Sequence, residues 1–172
     1  FATKAVPVGE GGMIVTNDQE VHKMASKFVM YDRFDQRLNV GVNFRMSEIN
    51  ALLTYSVIKE TESIIDEKYK IANRYIQACE QSGWKYINPT SGDQRSNLYK
   101  FILLTKATYP EEEFQQITKR TSPVYDYALG RDSDEITKRH ICLPIWYKLE
   151  DKNINGVVNE LIEQPPAKAG RL

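Results

Sequence analysis

Between Ser47 and Gly83 no glycine or proline interrupts the chain, and apolar residues recur at helical spacing throughout that interval. The pattern predicts two helical segments. Ser47 has the chemistry of an N-cap, and Ile49, Leu52, Leu53, Val57 and Ile58 mark the buried face of the first segment. In the second, Ile65, Tyr69, Ala72, Ile76 and Cys79 step by four and three residues, the signature of one stripe laid on a neighbour, and Gly83 is the natural stop. Upstream, Met13 to Thr16 reads as a strand preceded by the permissive turn Gly9-Glu10-Gly11-Gly12, which predicts a hairpin near Lys4. Asn17-Asp18 then caps a helix over roughly Glu20 to Tyr31, with Val21, Met24, Phe28 and Tyr31 on its packed face. The stretch from Asp32 to Arg45 holds neither period and reads as a loop.

After Gly83 the elements shorten. Trp84 to Ile87 and Leu98 to Leu104 predict strands, Pro110 to Arg120 a helix, and Pro123 to Tyr125 an extended segment. A polar loop through Asp132 to Glu135 leads to His140-Ile141-Cys142-Leu143-Pro144, and Ile154, Val157, Val158, Leu161 and Ile162 define a closing amphipathic helix before a loose tail. The fold expectation is α/β with an α+β small lobe. It divides into residues 1–46, a helical connector 47–83, a small C-terminal domain 84–163 and the tail 164–172.

With 41% of its 172 residues hydrophobic, the chain can bury a sizeable core, which sets aside disorder. Lys+Arg and Asp+Glu both number 23, and this balance speaks against nucleic acid or an anionic membrane as partner. No apolar run reaches the ~18 residues of a membrane span, and no basic-then-apolar secretory pattern opens the chain, so a cytoplasmic location is the expectation. Cys79 and Cys142 lie far apart without metal-ligand spacing, which predicts reduced structural thiols and no metal. His22 and His140 read as structural. The start at Phe1-Ala2-Thr3-Lys4 has no initiator Met and runs straight into strand-like sequence, which suggests a piece cut from a longer chain.

A lone lysine is ordinarily a solvated surface residue. Lys4 stands out because a Gly-rich turn and a strand follow within a few residues, a place where a side chain projects into a cleft. The Gly9 to Gly12 run lacks the Gly-Lys-Ser/Thr ending of a phosphate loop and precedes a strand, so its glycines shape a hairpin and Glu10 is a turn carboxylate.

Phe1-Ala2-Thr3-Lys4 with Gly9-Glu10-Gly11-Gly12-Met13-Ile14-Val15-Thr16-Asn17-Asp18, followed by Gly41-Val42-Asn43-Phe44-Arg45-Met46-Ser47-Glu48, resembles the DegT/DnrJ/StrS sugar aminotransferases. The resemblance covers nearly the whole chain and implies the C-terminal part of a fold-type I aminotransferase dependent on pyridoxal 5′-phosphate. It makes Lys4 the catalytic and cofactor-bonding lysine. A primary amine can bond to the cofactor aldehyde, be displaced by the substrate amine and then carry a proton between the two carbons. Asn43 matches an asparagine that reaches the cofactor phosphate of a partner subunit, where amide donors suit the task. Arg45 matches an arginine assigned to phosphate or substrate recognition, its planar fork fitting anionic oxygens. Tyr125 and Tyr127 fall where the small lobe approaches the sugar pocket.

The implied reaction transfers an amino group, from glutamate, to a keto group of a nucleotide-linked sugar, within a homodimer whose active sites are shared. The family aromatic between glycine and asparagine is Val42 here, so a contact made by that ring is absent. The carboxylate for the pyridine nitrogen, the stacking ring and most phosphate donors belong upstream of the lysine in this family, and the chain alone is expected to be inactive. The alternative is a non-catalytic fragment or relative acting as an assembly or regulatory partner. A dehydratase on the same scaffold would carry another residue in place of Lys4.

Overall fold

The computed structural model describes residues 4, 7–30, 44–104, 117–122 and 140–166. The chain forms two compact units, one of residues 1–2 and 6–60, the other of residues 3–5 and 61–172. The predictions for 31–43, Pro110–Gln116, Pro123–Tyr125, Tyr127 and Asp132–Glu135 fall outside the described residues, as does most of the tail.

In the first unit, α1 (Gln19–Met30) starts where the side chain of Asp18 accepts the Glu20 and Val21 amides at 2.8 and 3.2 Å. Helix α2 (Glu48–Lys59) starts where the Ser47 hydroxyl accepts the Asn50 amide at 3.2 Å. Both caps satisfy amides that a helix start leaves without partners. The expected buried faces do not form. No residue of α2 is buried, with Ile49 and Leu52 at 74% and 67% exposure, and Met24 of α1 is 70% exposed. Nor is Met13 to Thr16 a strand, since it has no ladder partner among the described residues and Val15 is 85% exposed. Apolar periodicity orients a face but cannot supply the layer that covers it.

The second unit is built on α3 (Thr61–Ser82), α4 (Asp151–Glu163) and a three-stranded antiparallel sheet. Its strands, in the order β1 (Lys85–Tyr86), β4 (Phe101–Leu104), β5 (His140–Leu143), pair Tyr86 with Leu103 and Leu103 with Ile141. A small hairpin, β2 (Thr90–Ser91) with β3 (Gln94–Arg95), turns at Gly92 and was not anticipated. The strands are shorter than expected because Trp84 and Ile87 flank β1 and the segment before Phe101 is a turn. Ile117 to Arg120 is not helical, contrary to the expected end of the 110–120 helix, and Ile117 is fully buried. The free edge of β5 is covered by Thr121, whose amide donates to the Cys142 carbonyl at 2.8 Å. Such cover removes an exposed strand edge.

Helix α3 buries Ile64, Lys68, Ile71, Ala72, Tyr75, Ala78 and Cys79, and ends at Gly83, whose φ of +86° only glycine adopts readily. The inward face is thus centred one position from the expected stripe: Tyr69 and Ile76 are partly buried flanks of the core. Tyr75 is fully buried, meets Phe101 edge-on at 5.4 Å, and donates its hydroxyl to the Pro144 carbonyl at 2.8 Å. Burial pushes its phenol upward. Leu103, Leu143, Val157 and Leu161 complete the core. Cys79 and Cys142 are free and buried, and burial, with the Glu80 charge, pushes the Cys79 thiol up to about 12. His140 is buried in β5, while His22 is exposed on α1.

Outside the core, Arg74 on α3 pairs with Asp151 at 2.7 Å and with Asn155 of α4. In α4 the missing side chain of Gly156 admits the Lys119 stem, since a Cβ there would lie 2.6 Å from Lys119 Cε. Lys119 Nζ then reaches Glu160 at 2.9 Å. Burial pushes the Glu160 carboxyl up, but bonds from Thr118 and Lys119 outweigh it and hold the group below its ordinary range.

Two predictions separate these contributions. Leu103→Ala should cost about 2–5 kcal/mol in urea unfolding, as a core truncation does, whereas Arg74→Ala should cost under about 1 kcal/mol because its partner is solvent-exposed. Equal losses would place the lobe's stability in its surface. Lys68 gives a pH test: burial pushes its amine below the ordinary 10.5. The unfolded chain therefore binds a proton that the folded chain resists, and stability rises with pH between the depressed folded value and 10.5. Wild type should gain on Lys68→Met as pH is raised through that window; parallel curves would contradict the burial argument.

Candidate functional site

The two segments that carry the sequence resemblance meet inside the first unit. Asn50, in the first turn of α2, donates its side-chain amide to the Glu10 carbonyl at 3.2 Å. Gly9, at a φ of +87°, lies beside the same Asn50 side chain. Met46 sits over Gly11, where an added Cβ would fall 2.5 Å from Met46 Cε. Phe44 stacks on Phe28 at 5.9 Å, which fastens the second motif to α1. The glycines therefore serve close approach and a left-handed turn, in agreement with a structural reading and not a phosphate loop.

This unit also carries a cleft of about 1170 Å³ lined by Gly11, Met13, Ile14, Met24, Phe28 and Phe44. Among the described residues its lining is apolar apart from a few groups such as Thr16 and His22, and includes no carboxylate, lysine or arginine. No group of three or more His, Cys, Asp or Glu among the described residues could hold a metal ion. No helix among them is long and apolar enough to cross a membrane.

Lys4 belongs to the second unit. Its side chain is exposed, and its Nζ lies 4.0 Å from the centroid of the Tyr99 ring. No carboxylate is paired with it among the described residues. Such an amine fits a cofactor aldehyde: it is accessible, and among the described residues no ion pair has to be broken before it can form a covalent bond. Asn43 lies outside the described residues. Arg45 belongs to the first unit, is exposed, and already has a noncovalent partner.

Sequence reasoning missed Tyr99. Its signal was local: Ser96 and Asn97 are turn formers placed directly before a strand, and they aim the next aromatic out of the ladder. It also missed Asn50, which lay inside a helical pattern.

Residues 1–162 match the DegT/DnrJ/EryC1/StrS aminotransferase family. A UDP-4-amino-4,6-dideoxy-N-acetyl-beta-L-altrosamine transaminase of Helicobacter pylori is 23% identical over an alignment covering 94% of this chain and 50% of that protein. A GDP-perosamine synthase of Escherichia coli O157:H7 is 30% identical over 67% of this chain and 32% of its own length. The solved structure of Helicobacter pylori PseC, an aminotransferase involved in the biosynthesis of pseudoaminic acid, superposes with a TM-score of 0.75 at 18% identity, over 94% of this chain and 50% of that one. The chain thus spans half, or less, of the length of the relatives it matches. By a family match over residues 1–162, which reaches into its last described helix, the chain belongs to the DegT/DnrJ/EryC1/StrS aminotransferases.

Proposed function

We propose that this chain is the C-terminal half of an aminotransferase that transfers an amino group, from glutamate, to a keto group of a nucleotide-linked sugar. The reading is supported by the family match over residues 1–162 together with the accessible amine of Lys4, which has no carboxylate partner among the described residues. Enzymes of this family depend on pyridoxal 5′-phosphate, which when bound supplies an aldehyde for the amine and an electron sink for the carbon that loses its proton.

The chain's own residues then take the following parts. Lys4 would hold the cofactor covalently, and its Nζ, once displaced by the substrate amine, would take the proton from the substrate carbon and return it. Asn43 would donate its amide to the cofactor phosphate of a partner subunit, and Arg45 would offer its guanidinium to phosphate or substrate oxygens. On this reading the active site is shared between the two copies of a homodimer that acts in the cytoplasm. The exposed Met13, Ile14, Val15 and Met24 fit the same reading, as apolar surface that the rest of a full-length enzyme covers.

The test uses the full-length enzyme with cofactor. Lys4→Ala and Lys4→Arg should both abolish the visible absorption of the lysine-bound cofactor and lower the transamination rate by at least about a hundredfold, the lower end of what a positioned acid–base side chain contributes. Retention of that absorption by Lys4→Ala would remove Lys4 from the reaction.

A further inference from the structure

The geometry points to Tyr99 as a positioning residue for Lys4: its ring face holds the lysine amine in place whenever that amine is not bonded to the cofactor. The inference rests on the proposed role of Lys4 and adds to it a residue from the small lobe.

The amine lies 4.0 Å from the ring centroid, within the range in which an ammonium is attracted to the negative face of an aromatic ring. A second cation, Lys100, lies farther out at 5.4 Å, and its Nζ is tied to the Ser122 carbonyl at 2.9 Å. The nearer place on the ring is therefore left to Lys4. Among the described residues no carboxylate competes for that amine, and the ring is the contact that holds it.

The ring is itself firmly placed. Leu98, one residue before it, is buried and sits at a φ of +50°, a left-handed conformation that a leucine keeps only where its surroundings impose it. Those surroundings are specific: the Ser96 hydroxyl accepts the Leu98 amide at 3.0 Å, and the buried Lys68 amine donates to the Leu98 carbonyl at 3.3 Å. The Asn97 side chain accepts the Tyr99 amide at 3.1 Å, and two residues on, Phe101 enters the core in β4. A turn held at each of these points presents Tyr99 half-buried, with a face left for Lys4. Lys68, a cation buried in α3 that the proposed chemistry does not use, gains a purpose as the anchor of this turn.

Held this way, a freed amine loses less conformational freedom when it bonds again. Only the ring is required. The phenol hydroxyl has no part in the contact, so phenylalanine should serve as well as tyrosine and leucine should not.

The experiment takes the full-length enzyme stripped of cofactor, as wild type, Tyr99→Phe and Tyr99→Leu. Lysines are reductively methylated with ¹³C, and the Lys4 signal is assigned through Lys4→Arg. A methyl over a ring face resonates upfield of solvated lysine methyls; this displacement should appear in wild type and Tyr99→Phe and vanish in Tyr99→Leu. In unmethylated protein, the rate at which added pyridoxal 5′-phosphate becomes lysine-bound should fall about two- to fivefold in Tyr99→Leu only, the range an exposed cation–π contact supports. An unchanged Lys4 signal in Tyr99→Leu, or an unchanged capture rate, overturns the inference. Failure of the underlying reading looks different: Lys4→Ala would still bind cofactor covalently, whatever Tyr99 does to the Lys4 signal.

Discussion

The second unit depends on one contact, the face of α3 centred on Tyr75 laid against Phe101 and Leu103 of the middle strand. Tyr75 joins three parts of the chain at once, because its ring meets β4 while its hydroxyl takes up the Pro144 carbonyl just beyond β5. A buried carbonyl without a donor is costly, so the hydroxyl fixes where the chain leaves the sheet as well as filling space. Around that contact α4 adds Ile154, Val157 and Leu161, and the Lys68 amine, facing the same interior, reaches across to hold the turn before β4. The core and the proposed Lys4 platform are thus consecutive parts of one construction.

Much of this was legible in the residues. Helix starts at Asp18 and Ser47 and the stop at Gly83 follow from local chemistry that needs no distant partner, and all three occur. The closing helix was legible because Ile154, Val157 and Leu161 repeat cleanly. The face of α3 was displaced because it includes Lys68, which pattern reading counts as polar although its amine is satisfied by a carbonyl thirty residues away. The β2–β3 hairpin escaped because strands of two residues leave no periodicity to read. Met13 to Thr16, α1 and α2 show the opposite limit: their apolar patterns are real, but burial is a property of two surfaces and a sequence displays only one.

The candidate site divides along the same line. Motif spacing singled out Lys4 and related the Gly9–Gly12 run to the segment around Met46, and these two stretches do meet, through Asn50 and Met46. Spacing could not pair Lys4 with Tyr99, which lies ninety-five positions along the chain and is oriented by a left-handed leucine that no propensity rule anticipates. On the proposed reading, the amine that does the chemistry is supplied near the start of the chain, and its steadying surface by the small lobe.

The central claim is that the amine at position 4 is the one that bonds to the cofactor. Borohydride reduction of the full-length holoenzyme, followed by proteolysis and mass spectrometry, reads this directly. The account predicts that the cofactor mass is found on the peptide containing Lys4; the same mass on a peptide carrying any other lysine would contradict it.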